Sequence, residues 1–283
     1  MDELVERIKA SVEDQSSDPW FPELTDELTV AEWRRLNCDV GLTPNNYGTA
    51  RVLCRSVSAP RAIIASLKKS SSSDAPTISI EAAQQEWADS YRKAGVSFYS
   101  ADEILDTTVL SCVQDAIAII NQVPSLRGTI DSLVRSLHLI KPVDVDLDVS
   151  FSEPHVPFSI FVSVPQERIA NDALRVAEAI VHEAMHLQLT LIERTAMLYT
   201  ANNEKRYFSP WRQEQRSAQG ILHGLYVFVV IERFLRSVQS SGQYLAERCI
   251  RIAEEISEIR AFQNSPDLTP LGDSLVRRLL GSC

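Results

Sequence analysis

The chain has 283 residues, enough to bury a large core, and a formal net charge of −10. That acidity argues against a polyanion, either a nucleic acid or an anionic membrane surface, as the main partner. The five cysteines, Cys38, Cys54, Cys112, Cys249 and Cys283, are odd in number and scattered without a CxxC pair, so neither a disulfide framework nor a cysteine zinc site is predicted.

In chain order, the opening MDELVERIKASVEDQ is acidic and amphipathic, without the basic start and apolar core of a signal peptide, so a cytoplasmic location is expected. Residues 30–37, 47–69, 80–93 and 110–121 carry helix-like apolar spacing. Between them, 42–46 and the serine-rich 69–76 read as loops. From 139 the pattern changes. Val143, Val145, Leu147, Val149 and Phe151 alternate with Asp144, Asp146, Asp148, Ser150 and Ser152, the period of a half-buried strand. A second strand, 158–164, follows the proline-bounded corner Pro154-His155-Val156-Pro157, and the pair predicts a hairpin. On such a strand the three aspartates face solvent together, without the glycine turn of a calcium loop.

Asn171-Asp172 starts the next predicted helix, which runs to about Tyr199 and contains His182-Glu183-Ala184-Met185-His186. Two histidines four apart on one helix face can share a metal ion, and zinc is only one of the ions that two imidazoles accept. A third protein ligand is then needed. Glu193 is two turns beyond His186, roughly 10 Å up the axis, and reads as a surface ion pair. Glu204 has a spacing that a zinc peptidase would tolerate but sits in a polar connection. His223 is the stronger candidate. It lies in a predicted helix, 217–238, where Gly220 and Gly224 would admit a second helix closely.

Arg216 is seven residues before His223 and is expected on the same helix face, where its guanidinium can meet the far carboxylate of a metal-chelating dicarboxylic acid. A surface arginine at a helix start is the plain alternative. Arg212 is further off, as a second anion-binding candidate or a brace for its loop. His138, in a helix-like run at 133–140, and His155, on the proline corner, are not expected to ligate metal.

Four features together, HExxH at 182–186, SPWR at 209–212, Arg216 and GxLHG at 220–224, resemble the 2-oxoglutarate-dependent HExxH-type peptide β-hydroxylases. That family occurs alone or fused behind radical-SAM cyclophane synthases. The resemblance covers about residues 134–234, and the family pattern commonly has proline where this chain has Ser217. It implies Fe(II) bound by His182, His186 and His223, with 2-oxoglutarate and O2 as cosubstrates. It also implies Arg216, or Arg212, as the 2-oxoglutarate anchor and a ribosomally synthesised precursor peptide as the partner. Glu183 would orient a ligand or water. Two rivals stand beside it. A zinc metallopeptidase would use Glu183 to activate water. A peptide-binding module would add an extended peptide to the hairpin edge.

The fold expected is α+β and mainly α-helical. A helical N-terminal region, 1–130, packs on a metal-site region, 131–283, that holds a small antiparallel sheet beside the HExxH helix.

Overall fold

The structure is a computed structural model describing residues 2–40, 63–67, 78–83, 85–105, 107–144, 148–153, 158–200, 205–239 and 242–281. The predicted loops at 42–46 and 69–76, together with Glu204 and His155, lie outside the described residues. The fold is α+β and mainly helical, with ten α-helices among the described residues, a six-stranded mixed sheet and a two-stranded antiparallel one. Two compact units are present, Thr29–Leu187 and the combination of Met1–Leu28 with Gln188–Cys283.

The unit Thr29–Leu187 is built on the large sheet. Its strands are β1 (Ile63–Leu67), β2 (Ile78–Glu81), β3 (Ser97–Phe98), β4 (Ser136–Lys141), β5 (Ser150–Ser152) and β6 (Ser159–Ser163). The order is β1-β2-β4-β6-β5, and β3 pairs with β4 as well. β2 is parallel to the start of β4 at Ser136 and Leu137, and β3 is antiparallel to its end at Ile140 and Lys141. β6 runs parallel along β4. All five residues of β6, and all but the last of β4, are buried. A strand buried on both faces shows no alternation, which is characteristic of parallel sheets.

Several expectations are corrected here. Part of the helix-like stretch 47–69 is β1, and the start of 80–93 belongs to β2, so the supposedly helical N-terminal region contributes three strands. The predicted hairpin forms, with Phe151 opposite Phe161 and β5 at Ser150–Ser152, while residues 145–147 of the alternating run lie outside the described residues. Asp148, expected to be merely solvated, makes a two-point ion pair with Arg175 at 2.9 and 3.0 Å. His138 is a strand residue, not a helical one. Its ring stacks on Phe161 at 4.8 Å, and its Nδ1 lies 3.1 Å from the backbone oxygen of Glu81.

Helices α3 (Gln85–Lys93), α4 (Ala101–Leu105), α5 (Thr107–Ile120) and α6 (Pro124–Leu133) complete this unit, after α1 (Asp2–Glu13) and α2 (Pro22–Val40) in the chain. Pro124 opens α6 at a position where its missing N–H costs nothing. The long helix α7 (Asp172–Thr195) follows β6.

The other unit holds α1, the hairpin β7 (Tyr207–Ser209) and β8 (Glu214–Arg216), and helices α8 (Ala218–Ser237), α9 (Gln243–Glu258) and α10 (Pro270–Gly281). Helix α8 is long and apolar enough to cross a membrane by length and composition, yet 67% of that window is buried inside the protein, as in a core helix. Gln188 ties this unit together. Its Nε2 donates to Trp20 O at 2.8 Å and Thr25 Oγ1 at 2.9 Å, while its Oε1 accepts from the Tyr226 hydroxyl. Burial holds that phenol well above its ordinary pKa, so it stays a donor.

Candidate metal centre

Helix α7 has 24 residues without a glycine or proline. Its buried stripe, Ala177, Ile180, Val181, Ala184, Met185, Leu189 and Ile192, recurs at helical spacing and fixes the rotation of the helix. His182 and His186 lie beside that stripe, half-buried, with their Nε2 atoms 3.1 Å apart and their rings edge-on at 67°.

Two imidazole nitrogens this close cannot both present lone pairs to each other. A proton or a cation must stand between them. The separation fits two ligands of one ion held at about 2.0–2.1 Å from each nitrogen. The histidines therefore suit a metal as a two-nitrogen face. Among the described residues, no group of three or more His, Cys, Asp or Glu side chains comes together as a metal cluster.

Glu183 is 2% exposed and accepts a 2.7 Å hydrogen bond from Ser150 Oγ on β5. Its Oε1 is also 3.8 Å from His182 Nε2. Ser150 belongs to no motif in the sequence. Its place in the polar half of an alternating run predicts solvent, and its bond to a residue 33 positions away has no local signal.

In the other unit, Ser217 caps α8 by accepting from Gly220 N at 3.2 Å, and Val238 closes it, close to the predicted limits. His223 lies one turn and a half into α8, with Nε2 3.0 Å from Glu193 Oε1. Glu193 is therefore no surface ion pair. Its side chain is 8% exposed, and its Oε2 accepts from Gln219 Nε2 at 3.0 Å and from the Tyr199 hydroxyl at 3.4 Å. Burial, and then the Glu193 charge, raise the Tyr199 pKa and keep that phenol protonated.

Arg216 departs from its expected place. It ends strand β8 instead of sharing the helix face of His223, because the helix begins only after the Ser217 cap. Its guanidinium pairs with Glu214 at 2.8 Å, and the side chain passes over Gly220, where an added Cβ would meet Nε at 3.0 Å. Arg212 is exposed in the turn between β7 and β8.

The two glycines admit this hairpin, not a second helix. A Cβ on Gly224 would come within 2.5 Å of the Trp211 ring, which is stacked on Phe228 at 5.0 Å. The ring is wedged and has no easy escape. Gly224→Ala gains about 1 kcal/mol of helix propensity but forces a clash costing about 1–3 kcal/mol. Thermal unfolding should show net destabilisation, and Gly224→Ala combined with Trp211→Ala should show less than the sum of the two single losses.

A groove of about 440 Å³ also opens in the sheet unit, lined by Pro142, Val143, Pro165, Ile169 and the Asp148–Arg175 pair among others. Comparison with protein-family models gives no match, and comparison with curated proteins gives none either.

Proposed function

We propose that the chain is an iron(II)- and 2-oxoglutarate-dependent oxygenase that hydroxylates a side-chain β-carbon in a ribosomally synthesised precursor peptide. It would act in the cytoplasm. The observation supporting a metal enzyme is the facing pair of Nε2 atoms, 3.1 Å apart, on one helix with a buried glutamate between them in sequence. The choice of iron and of 2-oxoglutarate rests on the family resemblance of residues 134–234.

In this reading His182 and His186 bind the ion, and His223 as the third ligand rests on the family resemblance alone. Bound iron would supply the coupled oxidation in which peptide C–H, 2-oxoglutarate and O2 become peptide C–OH, succinate and CO2. The protein's part is placement. Ser150 fixes the Glu183 carboxylate beside His182, where it can orient a polar ligand. Arg216, or failing it Arg212, receives the distal carboxylate of 2-oxoglutarate by a charge-assisted fork. For Arg216 this means sharing or giving up its bond to Glu214.

One observation favours a second reading. Glu183 Oε1 lies only 3.8 Å from His182 Nε2, a position from which a carboxylate can take a proton from a metal-activated water, as a zinc peptidase requires.

The two readings separate in one experiment. Metal-free protein is reconstituted under anaerobic conditions with Fe(II) or Zn(II), then exposed to air with 2-oxoglutarate and a peptide library. The oxygenase reading expects succinate, and a peptide gaining one oxygen atom, with Fe(II) alone. Peptide cleavage with Zn(II), without succinate under Fe(II), would overturn it in favour of the peptidase.

A further inference from the structure

We infer that the groove at the start of α7 takes a lysine or arginine side chain of the substrate peptide, and so selects peptides with a basic residue near the reacting one. The inference deepens the proposed function and rests on the chain acting on a peptide.

The place of the groove comes first. The parallel neighbours β4 and β6 end at Lys141 and Ser163, and Pro142 and Pro165, just past those ends, line the groove. A crevice beyond the carboxyl ends of parallel strands is the general place where open sheets receive ligands. Its volume, about 440 Å³, falls within the range of small-ligand pockets.

Charge then decides between an anion and a cation. A helix N-terminus ordinarily draws an anion, but that place at α7 is filled by the protein itself. The Asp172 carboxylate accepts from Ala173 N at 2.6 Å and Ile169 N at 3.2 Å, and Arg168 closes on it with two bonds. Burial alone would raise the Asp172 pKa, yet these bonds outweigh it and hold the pKa below its ordinary value. Asp148 is taken up in the same way by Arg175. The other two acidic groups of the lining, Asp144 and Glu167, are exposed. Four carboxylates thus face the guanidiniums of Arg168 and Arg175, leaving an excess of two negative charges for a cation to meet.

The apolar part of the lining narrows the cation to a side chain. Val143, 70% exposed, stands opposite an apolar wall that includes Ile169 and Val176. Lysine and arginine lay their methylene stems on such surface while the charged head stays near water. The groove also lies on the helix that bears the histidine pair. Arg175 precedes His182 and His186 by seven and eleven residues and shares their helix face, with His182 about 10 Å further along the axis. An extended peptide crosses that distance in about three residues. All of these groups belong to the unit Thr29–Leu187.

The test uses the full-length, metal-free chain and three fluorescein-labelled nonapeptides of glycine and serine, with Val-Lys-Val, Val-Glu-Val or Gly-Lys-Gly at the centre. Fluorescence anisotropy should show the Val-Lys-Val peptide binding at least about 10-fold more tightly than Val-Glu-Val, because like charges brought together are costly, and more tightly than Gly-Lys-Gly. The double variant Asp144→Lys with Glu167→Lys should reverse the preference between lysine and glutamate, which a merely structural role of these residues would not do. Circular dichroism matching the wild type confirms that it is folded. In amide spectra of ¹⁵N-labelled protein, the Val-Lys-Val peptide should shift signals from Ile169 and Val176 along α7 towards His182.

Equal binding of the lysine and glutamate peptides by the wild type, or binding of neither, would overturn the inference and leave the Fe(II) and succinate test of the proposed function untouched. Free cadaverine competing as strongly as the unlabelled Val-Lys-Val peptide would overturn the assignment to a peptide. A lysine preference in a chain that makes no succinate with Fe(II) would remove the oxygenase reading and support the groove as a peptide site.

Discussion

His186→Ala is expected to abolish turnover and weaken metal binding by roughly two orders of magnitude while leaving the fold intact. Structural zinc in small domains is worth about 10 kcal/mol or more, and on that scale losing one of the three proposed ligands removes about 3 kcal/mol, roughly 150-fold in affinity. The fold should survive because His186 is half-buried at the edge of the α7 stripe, and alanine is the better helix former. The variant also removes the facing nitrogen of His182, and with it the requirement for a proton or cation between the two rings. Circular dichroism should be unchanged, and isothermal titration with Fe(II) or Co(II) should show the loss. Unchanged affinity would mean that the ion, if any, is held elsewhere.

Gly272→Ala should be the most destabilising single methyl in the described chain. A Cβ there would stand 1.8 Å from Leu198 O and 2.8 Å from Leu198 C, both backbone atoms. Neither side can yield easily. Leu198 O accepts from Thr269 N at 3.1 Å, Thr200 N donates to Asp267 O at 2.8 Å, and Thr269 Oγ1 donates to Met197 O at 2.7 Å. These bonds clamp the segment after α7 against the start of α10. Relief requires moving α10, which packs on α1 and α8. We expect a loss of about 3 kcal/mol or more, even after a gain of about 1 kcal/mol in helix propensity. At this chain length that lowers Tm by roughly 6–12 °C. Gly128→Ala on α6, where an added Cβ meets nothing within 4 Å, is the contrast, with a gain of about 0.5–1 kcal/mol. Equal melting temperatures for the two variants would contradict this reading of the α10 packing.

What the sequence discloses depends on whether the determining contact is local. Helices α7 and α8 are legible because their signals are: Asp172 and Ser217 stand at their starts, and periodic apolar stripes run between the ends. The β5–β6 hairpin is legible from alternation and its proline corner. β1 and β2 are not, since short apolar runs such as IIASL and ISIE carry no period that separates a strand from a helix. Among the site residues, the His182 and His186 pairing follows from spacing alone. The place of Arg216 is not legible, because a spacing of seven has a helical meaning only if both residues are in the helix, and the Ser217 cap stands between them. Distance from an ion alone does not reveal the role of Glu193. Seven residues beyond His186 it returns to the same helical face, and there it meets His223, a partner 30 positions away.

The central claim, that the facing nitrogens of His182 and His186 hold a metal, is tested most directly by metal stoichiometry. The full-length chain is purified without air, stripped with a chelator, reloaded with Fe(II), and its bound iron counted by elemental analysis after gel filtration. The account predicts a single tightly held ion per wild-type chain, and little or none retained by the variant carrying both His182→Ala and His186→Ala. A wild-type chain that retains no more iron than that double variant would contradict it.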